Sequence, residues 1–353
     1  MKKFNIGIIG LGRISSKHIL SLKSLSSKFN LVSVCEINQT ILKNFKFNKN
    51  IKKYSKISDM LKEQKLDIVS ILTPSGMHLD HIKYTSLYCK NIVVEKPMAM
   101  NHAQSKQVIK IIKNNKNNLF VVKQNRFNLA IVKLKEAIDK KRFGKIFLGT
   151  VRLRWSRNKD YYNMDKWRKT WKYDGGVLGN QASHHVDLLQ WFLGKINKVY
   201  SKSKRVFKFK KTDDTVLSII DFKSGALGLV EATVATRPKD VEGSISILGT
   251  KGTVEIGGYA VSKIKVWNFV NKIKSDKNIH KYSRLYKNVY GTGHKQFYEN
   301  LYLSLLKRKS FSVNALEASK SVKLVDKIIA ASELNKEIYF NDKNYSKRIG
   351  IKN

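Results

Sequence analysis

The stretch FNIGIIGLGRIS at residues 4–15 decides the fold. Its apolar beginning predicts a buried strand, and the residues after it have the spacing of an amphipathic helix. Between strand and helix, GLGRIS is a variant of the G-x-G-x-x-G fingerprint that binds dinucleotides. Gly10 permits a tight turn, and Gly12 lets the backbone approach a pyrophosphate at the start of the helix. The residues expected to contact such a cofactor here are Gly10, Gly12, Arg13 and Ile14.

An acidic residue follows at the position that the fingerprint requires. The strand-like run LVSVCE, residues 31–36, ends in Glu36, about 20–25 residues after the glycines. A carboxylate there accepts both ribose hydroxyls and repels a 2′-phosphate. The sequence therefore predicts NAD rather than NADP as the cofactor.

Strand-like runs continue up to residue 125, each separated from the next by a helical segment. They occupy residues 67–73, 91–97 and 119–125. Alternating strands and helices predict an α/β fold, a doubly wound parallel sheet with helices on both faces. Ligands bind such sheets at the carboxyl ends of the strands. The polar residues there are further candidates for cofactor contacts: Thr73, Pro74, His78, Glu95, Lys96 and Gln124.

The 353 residues carry a formal net charge of +43, which is compatible with nucleic acid or an anionic membrane as a partner. However, only 12 of the 69 basic residues are arginine, and the lysines are scattered along the chain. This pattern favours biased composition over a binding surface, so we expect neither a nucleic-acid nor a membrane partner. With two cysteines, no signal-peptide pattern and no apolar run of roughly 20 residues, we expect a cytoplasmic protein without disulfides.

Arginine is rare in this chain, so a cluster of arginines is informative. Arg152, Arg154, Arg157 and Arg168 fall within 17 residues and alternate with tryptophans and tyrosines. Arginine forks suit a diphosphate or a carboxylate, and aromatic faces suit a sugar or a base ring. RNA binding would use the same residue types but needs no cofactor fold. We expect about half of these aromatic residues to belong to the core instead.

These motifs, together with TPSGMH at 73–78 and EKP at 95–97, resemble the glucose-fructose oxidoreductase, inositol dehydrogenase and MocA (Gfo/Idh/MocA) family. The resemblance covers nearly the whole chain. It implies a Rossmann domain at 1–124 and, at 125–340, an α/β domain for substrate binding and oligomerisation, with a largely antiparallel open sheet. It also implies a homo-oligomer (dimer or tetramer), a Lys96 that reaches the substrate, and a Lys96–Pro97 bond open to the cis form. We expect a solvated basic polar tail at 341–353.

Three segments are similar to one subgroup, the UDP-N-acetylglucosaminuronate 3-dehydrogenases. They are KQNRFN (123–128), the segment 154–194 and RPKDVEGSISILGTKGTVEIGG (237–258). The similarity implies NAD-dependent oxidation of the 3-hydroxyl of a UDP-sugar, during the synthesis of bacterial surface polysaccharide. Reduced NAD is then either released or reoxidised in place by a 2-oxoacid. The residues implied to contact the substrate are Lys96, Arg126, Asn128, Arg157, Tyr162, Trp167, Arg168, Asn180, His184 and Arg237.

Two other functions are compatible with the sequence. An NAD-dependent dehydrogenase of the same fold can act on an inositol or a free sugar. A non-catalytic NAD sensor or a nucleic-acid-binding protein would instead use the basic surface. Binding of a UDP-sugar separates the first hypothesis from both alternatives.

The adjacent histidines at 184 and 185 raise the question of which one is catalytic. GGVLGNQASHHVDLL, residues 175–189, predicts a helix over 178–193 after a glycine pair. Four residues make about one turn, so Asn180 and His184 share a face while His185 points about 100° away. An unperturbed pKa of about 6.5 suits a general base.

We therefore predict His184 as the general base and His185 as a structural residue. Lys96 would stabilise the developing oxyanion, and it is the rival base if burial lowers its pKa. The eight histidines are dispersed along the chain, so no metal cluster is expected.

Overall fold

A computed structural model describes residues 2–47, 50–286, 291 and 293–351, and these residues group into two compact units. The first unit contains Met1–Lys123 and His294–Ser319, and the second contains Gln124–Gly293 and Lys320–Asn353. Residues 294–319 were expected to belong to the second domain, at 125–340. They group with the first unit because Phe297 and Tyr298 are fully buried there, with the Tyr298 ring 5.6 Å from that of Phe29.

Within its described residues the first unit is built on a six-stranded parallel sheet. The strands are β1 (Phe4–Ile9), β2 (Phe29–Cys35), β3 (Lys52–Tyr54), β4 (Ile68–Ile71), β5 (Asn91–Val94) and β6 (Asn118–Val121). Their order is β3-β2-β1-β4-β5-β6, the doubly wound arrangement in which the chain changes direction between β1 and β4. Every residue of β4 is buried, as continuous apolar runs in a parallel sheet predict.

Helices cover the strands of this unit. They are α1 (Ser15–Ser24), α2 (Gln39–Asn44), α3 (Ile57–Glu63), α4 (His78–Thr85) and α5 (His102–Asn114), and α9 (Gly293–Leu305) follows much later in the chain. The core joins strand residues such as Ile71 and Val94 to Val313 and Ala318 of the returning segment. The predicted α/β class is therefore confirmed for this half.

The second unit contains a mixed sheet of eight strands among its described residues. The strands are β7 (Ile146–Arg154), β8 (Ile196–Lys204), β9 (Thr215–Phe222), β10 (Leu227–Thr233), β11 (Glu242–Gly249), β12 (Gly252–Gly257), β13 (Lys263–Phe269) and β14 (Ile338–Tyr339). They lie in the order β13-β12-β11-β7-β10-β9-β8-β14. Only the β7–β10 pair is parallel within this sheet, so the prediction of a largely antiparallel sheet is confirmed.

The helices of the second unit are α6 (Leu129–Asp139), α7 (Lys159–Asn163), α8 (Ser183–Leu193) and most of α10 (Ala315–Leu334).

The prediction of a single helix over 178–193 is wrong for the first turns of that range. Residues Val177–Gln181 form a π-turn, in which the Ala182 N–H donates to the carbonyl of Val177, and α8 begins only at Ser183. One extra residue in the turn is invisible to an apolar pattern, and π-turns are frequent at functional sites.

The expectation of a solvated tail after residue 340 is also wrong for its described part. Ile349 is 1% exposed, and the Lys327 ammonium donates to the carbonyls of Asp342 and Asn344 at 2.6 and 2.8 Å. The Gly350 N–H donates to the carbonyl of Trp171. The tail is held because a buried lysine uses tail carbonyls as its acceptors.

Both X-Pro bonds Lys96–Pro97 and Arg237–Pro238 are cis. In the described part of the chain no helix is both long and apolar enough to cross a bilayer.

Candidate active site

The glycine turn of the first unit has the geometry that a dinucleotide requires. Gly10 has φ +95°, and a Cβ there would lie 3.0 Å from the carbonyl carbon of Leu72, so no other residue fits without strain. Apart from Gly12 itself and its two neighbours in the chain, no described residue comes within 4 Å of the position that a Cβ would take at Gly12. The backbone is therefore open next to the N-terminus of α1, where backbone N–H groups attract a pyrophosphate. The turn fits NAD.

Glu36 lies beside this turn. The N–H of Leu11 donates to its Oε2 at 2.7 Å, and the N–H of Asn38 donates to its Oε1 at 2.9 Å. The fold thus brings the acid at the end of β2 to the glycines, as the fingerprint predicts. A carboxylate held in this place suits a ribose diol.

His78 connects the ends of β4 and β5. Its Nδ1 lies 2.7 Å from the carbonyl oxygen of Pro97, and its Nε2 lies 2.9 Å from that of Thr73. Burial lowers the pKa of His78, although both carbonyls act in the opposite direction. Next to it the Met77 N–H donates to the carbonyl of Pro74, so these predicted residues form one ordered loop at the carboxyl edge of the sheet.

A cluster around Glu95 was missed by the sequence analysis. The Nε2 of His18 lies 3.1 Å from Glu95 Oε1, and the Nε2 of His294 lies 3.6 Å from the same oxygen. The Tyr298 hydroxyl is 2.8 Å from His18 Nδ1, and the Lys96 N–H donates to Glu95 Oε2 at 2.9 Å. His18 and Tyr298 are 280 positions apart, so only the return of 294–319 brings them together.

A neutral His18 and an ionised Glu95 account for the contact between these two residues. Burial lowers the pKa of His18 despite its hydrogen bond with Glu95. Burial alone would raise the pKa of Glu95, but hydrogen bonds from His18 and His294 hold it well below its usual range. The ligand atoms of the three residues lie within 4.8 Å of one another, although dispersed histidines led us to expect no such group. The protein's own hydrogen bonds already use His18 on both nitrogens.

In the second unit, a glycine pair and the π-turn place Asn180. Gly175 and Gly176 have φ +70° and +71°, the left-handed region that favours glycine. The Nδ2 of Asn180 donates to Oδ1 of Asp174 at 2.6 Å, and both side chains are buried. Asp174 was not among the predicted site residues because its partner lies across an irregular turn.

Both histidines after the turn are buried. His185 is 2% exposed, and its ring packs edge-on against Trp155 at 6.0 Å. Burial lowers the pKa of His185 to about 4, so it is neutral at pH 7. His184, one position earlier, is 8% exposed. Lys96 belongs to the first unit and His184 to the second.

The clustered arginines separate into two groups. Arg154 lies on β7, where its Nε donates to Oε1 of Glu231 at 2.5 Å, and it is part of the sheet surface. Arg157 instead donates to Asp240 at 2.9 Å and to Gln181 at 3.3 Å.

Arg157, Gln181, Tyr161 and Arg168 form a second-unit network. The Tyr161 hydroxyl accepts hydrogen bonds from Arg168 at 2.7 Å and from Gln181 at 2.8 Å. Arg168 also stacks on the ring of Trp167 at 4.5 Å, and Arg237 donates to the carbonyl of Arg157 at 3.2 Å. Four predicted substrate contacts (Arg157, Trp167, Arg168 and Arg237) are therefore linked, and Tyr161 and Gln181 join them.

Three other predicted substrate contacts are engaged in the interior of the second unit. Arg126 forms a bidentate pair with Asp187 at 2.7 and 2.9 Å and stacks on Trp191. Asn128 donates to the carbonyl of Ala260 at 2.6 Å. Tyr162 is 2% exposed, and the predicted cofactor contact Gln124 is 4% exposed.

Comparison with protein families agrees with this architecture. Residues 4–123 match a family model described as an oxidoreductase family with an NAD-binding Rossmann fold. Residues 131–255 match the GFO/IDH/MocA C-terminal domain. The chain belongs to the Gfo/Idh/MocA family. It is an NAD-dependent oxidoreductase, and its cofactor is NAD.

Similar proteins include two inositol dehydrogenases and a dehydrogenase crystallised with a nucleotide sugar. Myo-inositol 2-dehydrogenase of Thermotoga maritima is 25% identical over 255 residues, 70% of this chain and 74% of the relative. The NAD⁺-dependent scyllo-inositol 2-dehydrogenase of Bacillus subtilis is 27% identical over 71% of this chain and 72% of the relative. The WlbA dehydrogenase of Bordetella pertussis, crystallised with NADH and UDP-GlcNAcA, is 34% identical with a TM-score of 0.92, covering 96% of this chain and 98% of that one.

Proposed function

We propose that this Gfo/Idh/MocA protein oxidises the 3-hydroxyl of a UDP-N-acetylglucosaminuronic acid type nucleotide sugar. The observation that carries the proposal is its likeness to the WlbA dehydrogenase across both units, at higher identity and coverage than to the inositol dehydrogenases. We further propose that the reaction belongs to the synthesis of bacterial surface polysaccharide.

The arginine network of the second unit supports an anionic substrate. Arg157 and Arg168 each present a planar fork, and such forks bind carboxylates and phosphates in two-point contacts. Each forms an ion pair with an acidic side chain, Arg157 with Asp240 at 2.9 Å and Arg168 with Asp165 at 2.7 Å. A uronate or a diphosphate can share these cations through charge-assisted hydrogen bonds, whereas an uncharged inositol offers only neutral hydroxyl acceptors, which bind less strongly.

The chemistry requires a base and a stabiliser of the alkoxide. NAD, when bound, accepts the hydride from the sugar carbon. His184 takes the proton of the 3-hydroxyl, and the C–O bond becomes a carbonyl as the C–H bond is lost. Lys96 donates a hydrogen bond to the same oxygen and stabilises its developing negative charge. Asn180 contacts the sugar.

The proposal also covers the oligomeric state, the compartment and the fate of the reduced cofactor. A homo-oligomer is supported by the exposed apolar side chains Leu217, Ile219 and Leu227, which lie on one face of the second sheet. Two buried free thiols, Cys35 and Cys89, suit a reducing cytoplasm. The reduced cofactor is released or reoxidised in place by a 2-oxoacid.

Reduction of NAD at 340 nm tests the proposal directly. Activity is expected with NAD and the UDP-uronate, and it should be at least tenfold lower with NADP because Glu36 repels a 2′-phosphate. His184→Ala should lower kcat by roughly 10²–10⁴-fold with little change in NAD affinity. Oxidation of myo-inositol in preference to the UDP-sugar would establish the second candidate function instead.

Arginine-to-lysine variants test the substrate class. Arg157→Lys and Arg168→Lys should raise the KM for the UDP-sugar more than that for NAD, since a fork becomes a point charge. Arg142→Lys is the matched control, because Arg142 pairs with Asp276 outside the network. Unchanged kinetics in all three variants would contradict the role of the network.

A further inference from the structure

A buried carboxylate lies beside the π-turn of the second unit. Asp174 is 3% exposed, and its Oδ1 accepts a 2.6 Å hydrogen bond from Nδ2 of Asn180. This bond fixes the orientation of the amide, because the nitrogen faces Asp174 and the amide oxygen is directed away from it. Asn180 therefore presents an acceptor on its other side.

The backbone enforces this pairing. At Gly179 a Cβ would lie 2.9 Å from the carbonyl oxygen of Asp174, and at Gly176 it would lie 3.1 Å from that of Asp213. A side chain at Gly179 would therefore push the backbone of Asp174 away from the turn, and one at Gly176 would push the turn away from Asp213. The glycines of this segment thus allow the close approach of the carboxylate to the turn.

Cationic and phenolic groups from other elements face Asp174. They are Lys210 in the loop before β9, Arg168 in the turn 166–169, and Tyr161 and Tyr162 of α7. Burial lowers the pKa of Lys210, and the negative charges of Asp174, Asp214 and Asp213 oppose this. On α8 itself, Asp187 is neutralised by Arg126, and His185 is buried beside Trp155. Asp174 is the carboxylate that holds the Asn180 amide.

Asn180 lies in the π-turn and His184 in the first turn of α8, four residues later, and Ala182 between the two elements has a right-handed helical backbone conformation. Residues at this spacing share a face. We propose that Asp174 is a positioning residue of the active site: it orients the Asn180 amide and, through it, supplies the negative charge that stabilises protonated His184. The role in turnover rests on the proposed function, but the coupling of Asp174 to His184 does not.

Titration of His184 by NMR in the full chain tests the coupling without substrate. Histidine labelled with ¹³C gives the ring signals, and the spectrum of His184→Gln assigns the signal of His184. Asp174→Asn keeps the shape and an acceptor oxygen but removes the charge. We expect the pKa of His184 to fall by about one unit, because a nearby negative charge that favours the protonated imidazole is removed. Asp160→Asn, at an exposed position on α7, is the matched control and should leave the titration unchanged.

The double variant Asp174→Asn, Asn180→Asp is the sharper test. An aspartate at 180 alone would place two carboxyl groups 2.6 Å apart, and the pair would share a proton. In the double variant one carboxylate and one amide remain hydrogen-bonded with their places exchanged. The pKa of His184 should then return to the wild-type value or exceed it.

The same variants are then measured kinetically. The acidic limb of kcat/KM against pH should move to lower pH in Asp174→Asn and return to the wild-type position in the double variant, with the KM for NAD unchanged.

A His184 titration that is the same in wild type and Asp174→Asn overturns the proposal, as does a double variant that behaves like Asp174→Asn. If Asp174→Asn does not fold, Asn180→Ala breaks the link with Asp174 intact and must lower the pKa of His184. Absence of activity in the wild type with normal NMR coupling would contradict only the proposed function.

Discussion

Breaking the pair between Arg126 and Asp187 should strongly destabilise the second unit. The two hydrogen bonds measure 2.7 and 2.9 Å, and the side chains are only 4% and 1% exposed. In Asp187→Asn the guanidinium stays buried on the face of Trp191 without its counter-charge. Removing one partner of a buried ion pair costs about 3–5 kcal/mol, because the remaining charge is left without compensation.

Urea unfolding followed by tryptophan fluorescence measures this cost. All five tryptophans, at 155, 167, 171, 191 and 267, lie in the second unit, so the signal reports that unit alone. With a slope of about 2 kcal/mol per molar urea, a loss of about 4 kcal/mol lowers the midpoint by about 2 M. Glu337→Gln is the control, since it breaks an exposed pair with Lys198 that should contribute at most about 1 kcal/mol.

The outcome decides between two interpretations of Arg126. A midpoint shift no larger than that of the control would refute the reasoning and would return Arg126 to the substrate contacts. A large shift that the apolar double variant Arg126→Met, Asp187→Leu largely recovers would establish the pair as structural, because such replacements avoid the cost of burying charge.

Three further predictions concern stability in the second unit. The pKa of His185 is about 4 in the folded protein, so between pH 6.5 and 4 only the unfolded state takes up a proton at this residue. The free energy of unfolding of the wild type should fall by about 2–3 kcal/mol over this range because of His185, and His185→Gln should remove this part of the loss in urea titrations. The hydrogen bond from Arg142 lowers the pKa of Asp276 to about 2. Asp276→Asn should therefore lower the free energy of unfolding by about 1 kcal/mol at pH 7 after solvent screening, and by nothing near pH 2. A difference between variant and wild type that does not change with pH would contradict this. Ile349→Ala should cost about 2–5 kcal/mol if the docked tail is part of the core, and a neutral result in thermal unfolding would argue against it.

The sequence predicted those parts of the fold that depend on local patterns. The apolar runs at 67–73 and 91–97 contain β4 and β5, because strands buried on both faces are continuously hydrophobic. The glycine turn and Glu36 were predicted together, since the fingerprint fixes their spacing. The connection between Glu95 and His18 was missed because the partners lie 77 positions apart on different elements.

The second unit was harder to predict near its candidate site. The π-turn at Val177–Gln181 adds one residue that an apolar pattern does not reveal, and it leads α8 to begin later than expected. Asp174 has no distinguishing pattern in the sequence, since a short acidic side chain before a glycine pair is typical of an ordinary turn. Its role emerges only from the hydrogen bond to Asn180.

Residues 294–319 complete the first unit, so this unit cannot finish folding until most of the chain has left the ribosome. Synthesis of the 170 residues from 124 to 293 takes about 10–30 s at common elongation rates. During that time the nascent Rossmann sheet lacks Tyr298, and the rings and carboxylate that it will cover, Phe29, His18 and Glu95, face water. A fragment that ends at residue 123 should therefore aggregate rather than fold.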